Sequence, residues 1–208
     1  MLGNVYPNSS AAIKAILDLH FPSGGKLIDP TGSKGVFYKK VSGWDIVRGD
    51  IRTCVAPDYL GDFRAIPFAN DAFDVAVFDP PYKRGSRKTG NTSDHYADRY
   101  GVAPNNENAA TRQYAEAIAE LFRVTTRGVI IKLQDAADGH NFHDRRLSVS
   151  KMVEERIGLR PHDSILVYRP SPMKTLTLGR RRFFRQQVSY FLVWKWKRKT
   201  PRYVRFSY

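Results

Sequence analysis

The apolar run Phe73-Asp74-Val75-Ala76-Val77-Phe78 stops abruptly at Asp79-Pro80-Pro81-Tyr82. Branched and aromatic residues at this density form a buried strand. Two successive prolines cannot extend it, because each fixes φ and lacks the N–H that a ladder needs. Strands buried on both faces belong to parallel sheets covered by helices, and the rest of the chain alternates accordingly. Lys26-Leu27-Ile28-Asp29, Gly43 to Val47, a weaker Asp62 to Ile66, Gly128 to Leu133, Ser164 to Tyr168 and Val188 to Trp196 read as further strands. A helix capped by Ser9 or Ser10 carries Ile13, Ile16, Leu17 and His20 at helical spacing. Val36 to Lys40 opens another after a glycine-bearing turn, and Ala109 to Val124 and Leu147 to Ile157 are two more. The expectation is one α/β domain over residues 1–208 with a mostly parallel, doubly wound sheet and right-handed crossovers.

The balance of charge narrows the partners. The chain has 208 residues and a net charge of +14, yet Asp163 is its last acidic residue, and twelve Lys and Arg follow it. Interleaved with them stand Phe183, Phe184, Tyr190, Trp194 and Trp196. A one-signed stretch with aromatics is the footprint of a polyanion binder, so nucleic acid is the expected partner. A single cysteine, Cys54, excludes an internal disulfide and a cysteine-based zinc site. No run reaches the roughly 20 apolar residues of a membrane span, and Met1-Leu2-Gly3-Asn4 lacks the regions of a signal peptide. A cytoplasmic protein with no membrane partner is expected.

In an open α/β sheet, ligands sit at the carboxyl ends of the strands. Asp79-Pro80-Pro81-Tyr82 falls there. An exocyclic base amine is a poor nucleophile because its lone pair is delocalised into the ring. The Asp79 carboxylate and the Pro80 carbonyl, accepting its two N–H bonds, would localise that lone pair, and Tyr82 offers a face for an extruded base. Upstream, Asp29-Pro30-Thr31-Gly32-Ser33-Lys34-Gly35 is a turn whose glycines admit a ligand close to the backbone. An adenosine ribose would take an acidic residue at the end of the second strand; Asp45 is placed for that, with Asp50 as the alternative. Asp62, at the third strand, could meet an adenine amine. His140, His143 and Asp144 lack the further partners of a metal site, so no metal is expected. Lys132 reads equally as a substrate contact and as a snorkelling surface lysine.

Together these segments resemble the class I Rossmann-like amino-methyltransferases, the group containing the DNA adenine-N6 and cytosine-N4 enzymes. The likeness is carried by Tyr6-Pro7-Asn8-Ser9, by Leu27 to Gly35 and above all by Asp79-Pro80-Pro81-Tyr82, with weaker likeness from Ile130 through Asp163 and from Gln187 to Trp194. It implies a seven-stranded sheet with the last strand antiparallel, and S-adenosylmethionine as methyl donor. The donor would be held by Tyr6, Pro7, Asp29, Pro30, Thr31, Gly32, Gly35, Asp45, Asp62 and Asp79. Gly-Ser-Lys-Gly replaces the more usual Gly-x-Gly of the first motif.

The stretch of about 83–108, leaving the catalytic motif, is then a mobile lid carrying Lys83, Arg84, Arg87 and Lys88. Arg180, Arg181, Arg182 and Arg185, in the basic segment 169–208, would meet phosphates beside the cleft. The leading aspartate leans toward adenine N6 in DNA. An RNA base amine, cytosine N4, and a catalytically silent nucleic-acid-binding subunit are the alternatives. The chain shows no separate target-recognition domain, which points to modest specificity or a partner subunit.

Overall fold

The computed structural model describes residues 5–81, 107–137, 142–168 and 188–196. Tyr82, the expected lid with Lys83, Arg84, Arg87 and Lys88, His140 and the Arg180, Arg181, Arg182 and Arg185 cluster lie outside the described residues. The strands are β1 (Val5–Tyr6), β2 (Gly25–Asp29), β3 (Trp44–Asp50), β4 (Tyr59–Leu60), β5 (Phe73–Phe78), β6 (Thr125–Leu133), β7 (Ala136–Ala137), β8 (Phe142–His143), β9 (Asp163–Tyr168) and β10 (Val188–Lys195). The helices are α1 (Ser9–His20), α2 (Glu107–Val124) and α3 (Arg145–Ile157). Eight strands form one sheet in the order β1-β9-β10-β6-β5-β2-β3-β4. Only β10 runs against the rest, inserted antiparallel between β6 and β9. The expected seven-stranded arrangement is present, widened by the two-residue edge strand β1 beside β9.

The strand β5 sits inside the sheet, between β6 and β2. Val75, Ala76, Val77 and Phe78 are fully buried, because β5 is flanked by β2 and β6 and covered on both faces. One face packs against α2 and α3 through Phe78, Ile118, Leu121, Ile131 and Trp194. The other packs against α1 through Ile13, Ile16, Leu17, Val77 and Phe191. Truncating Phe78 at such a position would cost about 3–5 kcal/mol. These two apolar layers fix the strand ends, and with them the cleft.

Local differences from the sequence reading each have a cause. Asn8, not a serine, caps α1, its side-chain oxygen accepting the Ala11 N–H at 2.9 Å. In place of the helix expected from Val36 stands a single 3-10 turn, Val36–Tyr38. Its hydrogen bonds serve to bring Tyr38 back onto Asp29. The weak strand at Asp62 to Ile66 is absent; the third parallel strand is the earlier β4, paired with Gly49 and Asp50. Asp144 caps α3 by accepting the Leu147 N–H. Among the described residues no helix is long and apolar enough to cross a membrane.

Candidate active site

The carboxyl ends of β2, β3 and β5 come together on one side of the sheet. Pro30, Thr31, Ser33, Asp50, Phe63, Asp79 and Pro81 line an open cleft of about 200 Å³ there, with Ile51 and Arg52 completing the wall. The loop after β2 wraps around Asp29, which is 2% exposed. One Asp29 oxygen accepts the Thr31 N–H at 2.9 Å and the Thr31 hydroxyl at 2.8 Å, and the other accepts the Tyr38 hydroxyl at 2.6 Å. Burial pushes the Asp29 carboxyl up to about 6, against the pull of these three hydrogen bonds and with a smaller push from Asp79. Burial likewise drives the Tyr38 phenol well above its ordinary range.

Thr31 connects this loop to the turn at Asp79-Pro80-Pro81. Its hydroxyl oxygen accepts the Asp79 N–H at 2.9 Å while its proton goes to Asp29. The two loops are therefore registered to one another through one side chain. Gly32 is needed for the same packing, since a Cβ there would lie 2.8 Å from Cβ of Arg48. The Gly32 N–H donates to Asp29 and Gly49 carbonyls, and the Gly35 N–H to the Gly32 carbonyl. These two amides thus close the loop on itself. Arg48 braces the outside by donating to the Ser33 carbonyl.

Asp79 faces the cleft from the end of β5. The Lys132 ammonium, from the end of β6, donates to its two carboxylate oxygens at 3.0 and 3.2 Å. The same ammonium stands 5.1 Å from the centre of the Phe37 ring. Lys132, which reads from sequence either as a substrate contact or as a snorkelling surface lysine, pairs with the Asp79 carboxylate. Pro80 is buried and Pro81 half-buried.

Asp50 and Asp45 exchange the places expected of them. β3 runs to Asp50, so Asp45 lies exposed near its amino end, opposite Lys26 of β2. Five residues at about 3.3 Å per residue put it some 16 Å from the cleft. Asp50 is 7% exposed and lines the cleft. Arg52 donates its backbone N–H and Nε to one Asp50 oxygen and a terminal nitrogen to the other, all within 2.9 Å. The second oxygen accepts only this one bond among the described residues, which leaves it room for a ligand hydroxyl.

Asp62 is taken up by Arg64, whose hydrogen bonds hold its carboxyl below the usual range, and it does not line the cleft. Its neighbour Phe63 does, and so does Arg52, neither of which any sequence motif singles out. Tyr6 pairs with Val167 at the sheet edge, four strands from β5, a lateral distance of about 19 Å. Neither it nor Pro7 reaches the cleft. Cys54 is exposed in a 3-10 turn after β3.

No protein-family model matches the chain, and no curated protein matches it. Solved structures do. PH1948 from Pyrococcus horikoshii, a proposed RNA methyltransferase, superposes with a TM-score of 0.56 at 11% identity, covering 91% of this chain and 83% of that one. An S-adenosylmethionine-dependent methyltransferase from Methanosarcina mazei gives 0.53 at 11% identity, covering 88% and 98%. The chain has a Rossmann-like methyltransferase fold. TrmN from Thermus thermophilus shares that fold at a TM-score of 0.55 and 10% identity, over 93% of this chain and 50% of its own. In a Rossmann-like methyltransferase fold the cleft at the carboxyl ends of the strands is where ligands are expected, and here Asp29, Asp50 and Asp79 converge on that end.

Proposed function

We propose that this chain is an S-adenosylmethionine-dependent methyltransferase acting on an exocyclic amino nitrogen of a nucleic-acid base, with adenine N6 in DNA as the first candidate. One observation carries the reading: Asp79 and Pro81 face the same cleft as the Asp29–Thr31 loop and Asp50, and the two loops are joined by the Thr31–Asp79 hydrogen bond. The lining fits the cofactor's parts. Asp50 retains an acceptor for a ribose hydroxyl, Phe63 offers an apolar face to an adenine, and the turn from Pro30 to Ser33 borders the remaining space.

S-adenosylmethionine supplies, when bound, an electrophilic methyl carried on a sulfonium sulfur. The remaining chemistry belongs to the chain. Asp79 accepts one N–H of the target amine and the Pro80 carbonyl the other, which draws the nitrogen lone pair out of the ring and aims it. With the cofactor held by Asp50, Phe63 and the turn from Pro30 to Ser33, the methyl would pass from sulfur to this nitrogen and the carbon–sulfur electron pair would stay on sulfur. One N–H proton then leaves to solvent. No covalent enzyme intermediate is needed, and Cys54 lies away from the cleft lining. Positioning and electrostatic preorganisation are the sources of rate in such a scheme.

The basic segment after Asp163 supports a polyanionic substrate. RNA is the second reading, favoured by the fold shared with PH1948. A transfer assay with tritiated methyl donor, offering duplex DNA and total RNA in parallel and followed by nucleoside analysis, decides between them. N6-methyladenine in DNA is the expected product. Label confined to RNA moves the assignment to the second reading, and label on neither polymer removes both.

A further inference from the structure

We propose that Lys132 is a positioning residue for methyl transfer, clamping the Asp79 carboxylate in the plane that receives the target amine. The proposal rests on the methyltransferase reading above and deepens it. Phe78 of β5 pairs with Ile131 of β6 in parallel register. The next residues, Asp79 and Lys132, therefore leave neighbouring strands at the same level and on the same side of the sheet. Lys132 is only 8% exposed. Lysines are rarely buried to this degree without a partner, because a desolvated ammonium costs several kcal/mol unless paired. Its partner is the carboxylate, reached at both oxygens, while the Phe37 ring supports the ammonium from another side.

This geometry does more than neutralise a charge. The Asp79 backbone is held through its N–H by Thr31, and Lys132 holds the side chain at both oxygens. This two-point contact sets the orientation of the carboxylate at the cleft. Phe37 belongs to the turn that also returns Tyr38 to Asp29. The carboxylate plane is thereby tied to the same loop that borders the cofactor space. A lysine serving solely to offset the burial of Asp79 would leave transfer insensitive to its geometry, which makes the two roles separable.

The test is a double-mutant cycle in single-turnover methyl transfer at saturating cofactor and DNA, with Lys132→Met, Asp79→Asn and their combination. Asparagine keeps one acceptor oxygen, so residual transfer stays measurable. Lys132→Met is expected to slow the wild-type background on the order of tenfold or more, with the cofactor Kd within twofold of wild type. Lys132→Arg should recover part of the rate. In the Asp79→Asn background Lys132→Met should change nothing further. Urea unfolding of each variant verifies the fold, and if Lys132→Met does not fold, Lys132→Gln and Lys132→Arg complete the cycle. Wild-type rate in Lys132→Met, or an equal loss in both backgrounds, overturns the proposal while leaving the enzyme reading intact. Failure of the wild-type protein to methylate any nucleic acid overturns both.

Discussion

The two ends of this sheet carry similar residues to opposite effect. At the carboxyl ends, Asp50 and Asp79 line one cleft with Asp29 buried beneath its loop, and each is held by donors that set its direction. At the amino ends, Asp74 accepts the Lys26 N–H at 2.9 Å and stands 3.7 Å from Arg127, while Asp163 meets His20 at 2.9 Å. Those contacts fasten strand to strand and strand to helix, and Asp45 beside them is exposed. The difference lies in strand polarity. Parallel strands gather their carboxyl-terminal loops at one end, where Pro30, Thr31 and Pro81 border the cleft, and here Asp74 and Asp163 at the other end serve structural contacts.

That contrast can be broken in order of expected effect. Asp79→Ala should lower the single-turnover transfer rate by about 10²–10³-fold, the scale of losing one preorganised acceptor, with cofactor binding largely kept; retained turnover breaks the assignment. Asp29 comes next, through pH. Its native carboxyl titrates at about 6 against an ordinary 3.8, so in that interval the folded chain holds a proton that the unfolded chain has released. Stability should therefore fall as pH rises through the window, by on the order of 3 kcal/mol for this group. Urea midpoints of wild type and Asp29→Asn, followed from pH 4 to 7, should diverge in their slopes, and parallel curves would contradict the buried assignment.

The pair Asp50 and Asp45 sharpens the comparison directly. Asp50→Asn should weaken S-adenosylmethionine binding by about tenfold, the value of one charge-assisted hydrogen bond, whereas Asp45→Asn leaves it unchanged in the same calorimetric titration. The smallest effect belongs to the other end. Asp74→Ala should cost about 1 kcal/mol of unfolding free energy with no change in cofactor Kd, and a weakened Kd would mean that the two ends are coupled.

Among the described residues, most of the longer strands and the three helices were legible in the sequence because hydrophobic period decides them, and β5 with its terminating prolines was read to the residue. What escaped depends on tertiary pairing. Arg48-Gly49-Asp50 looks polar and turn-like, yet it continues β3 because β2 and β4 pair with it on either side. Gly49 is required there, since a Cβ would come within 2.3 Å of the Tyr59 ring. Missing those three residues put Asp45, and not Asp50, at the expected carboxyl end of the strand. β1 is two residues long, too short to carry a period. Lys132 could not be resolved from its neighbours in sequence, since its partner is 53 positions away.

Ultraviolet crosslinking of methyl-labelled S-adenosylmethionine, followed by peptide mapping, tests most directly where the cofactor sits. The label should appear on peptides containing residues 29–35, 50–63 or 79–81. Label on residues 18–26 or around Asp163, at the opposite end of the strands, or no specific label at all, would contradict the account.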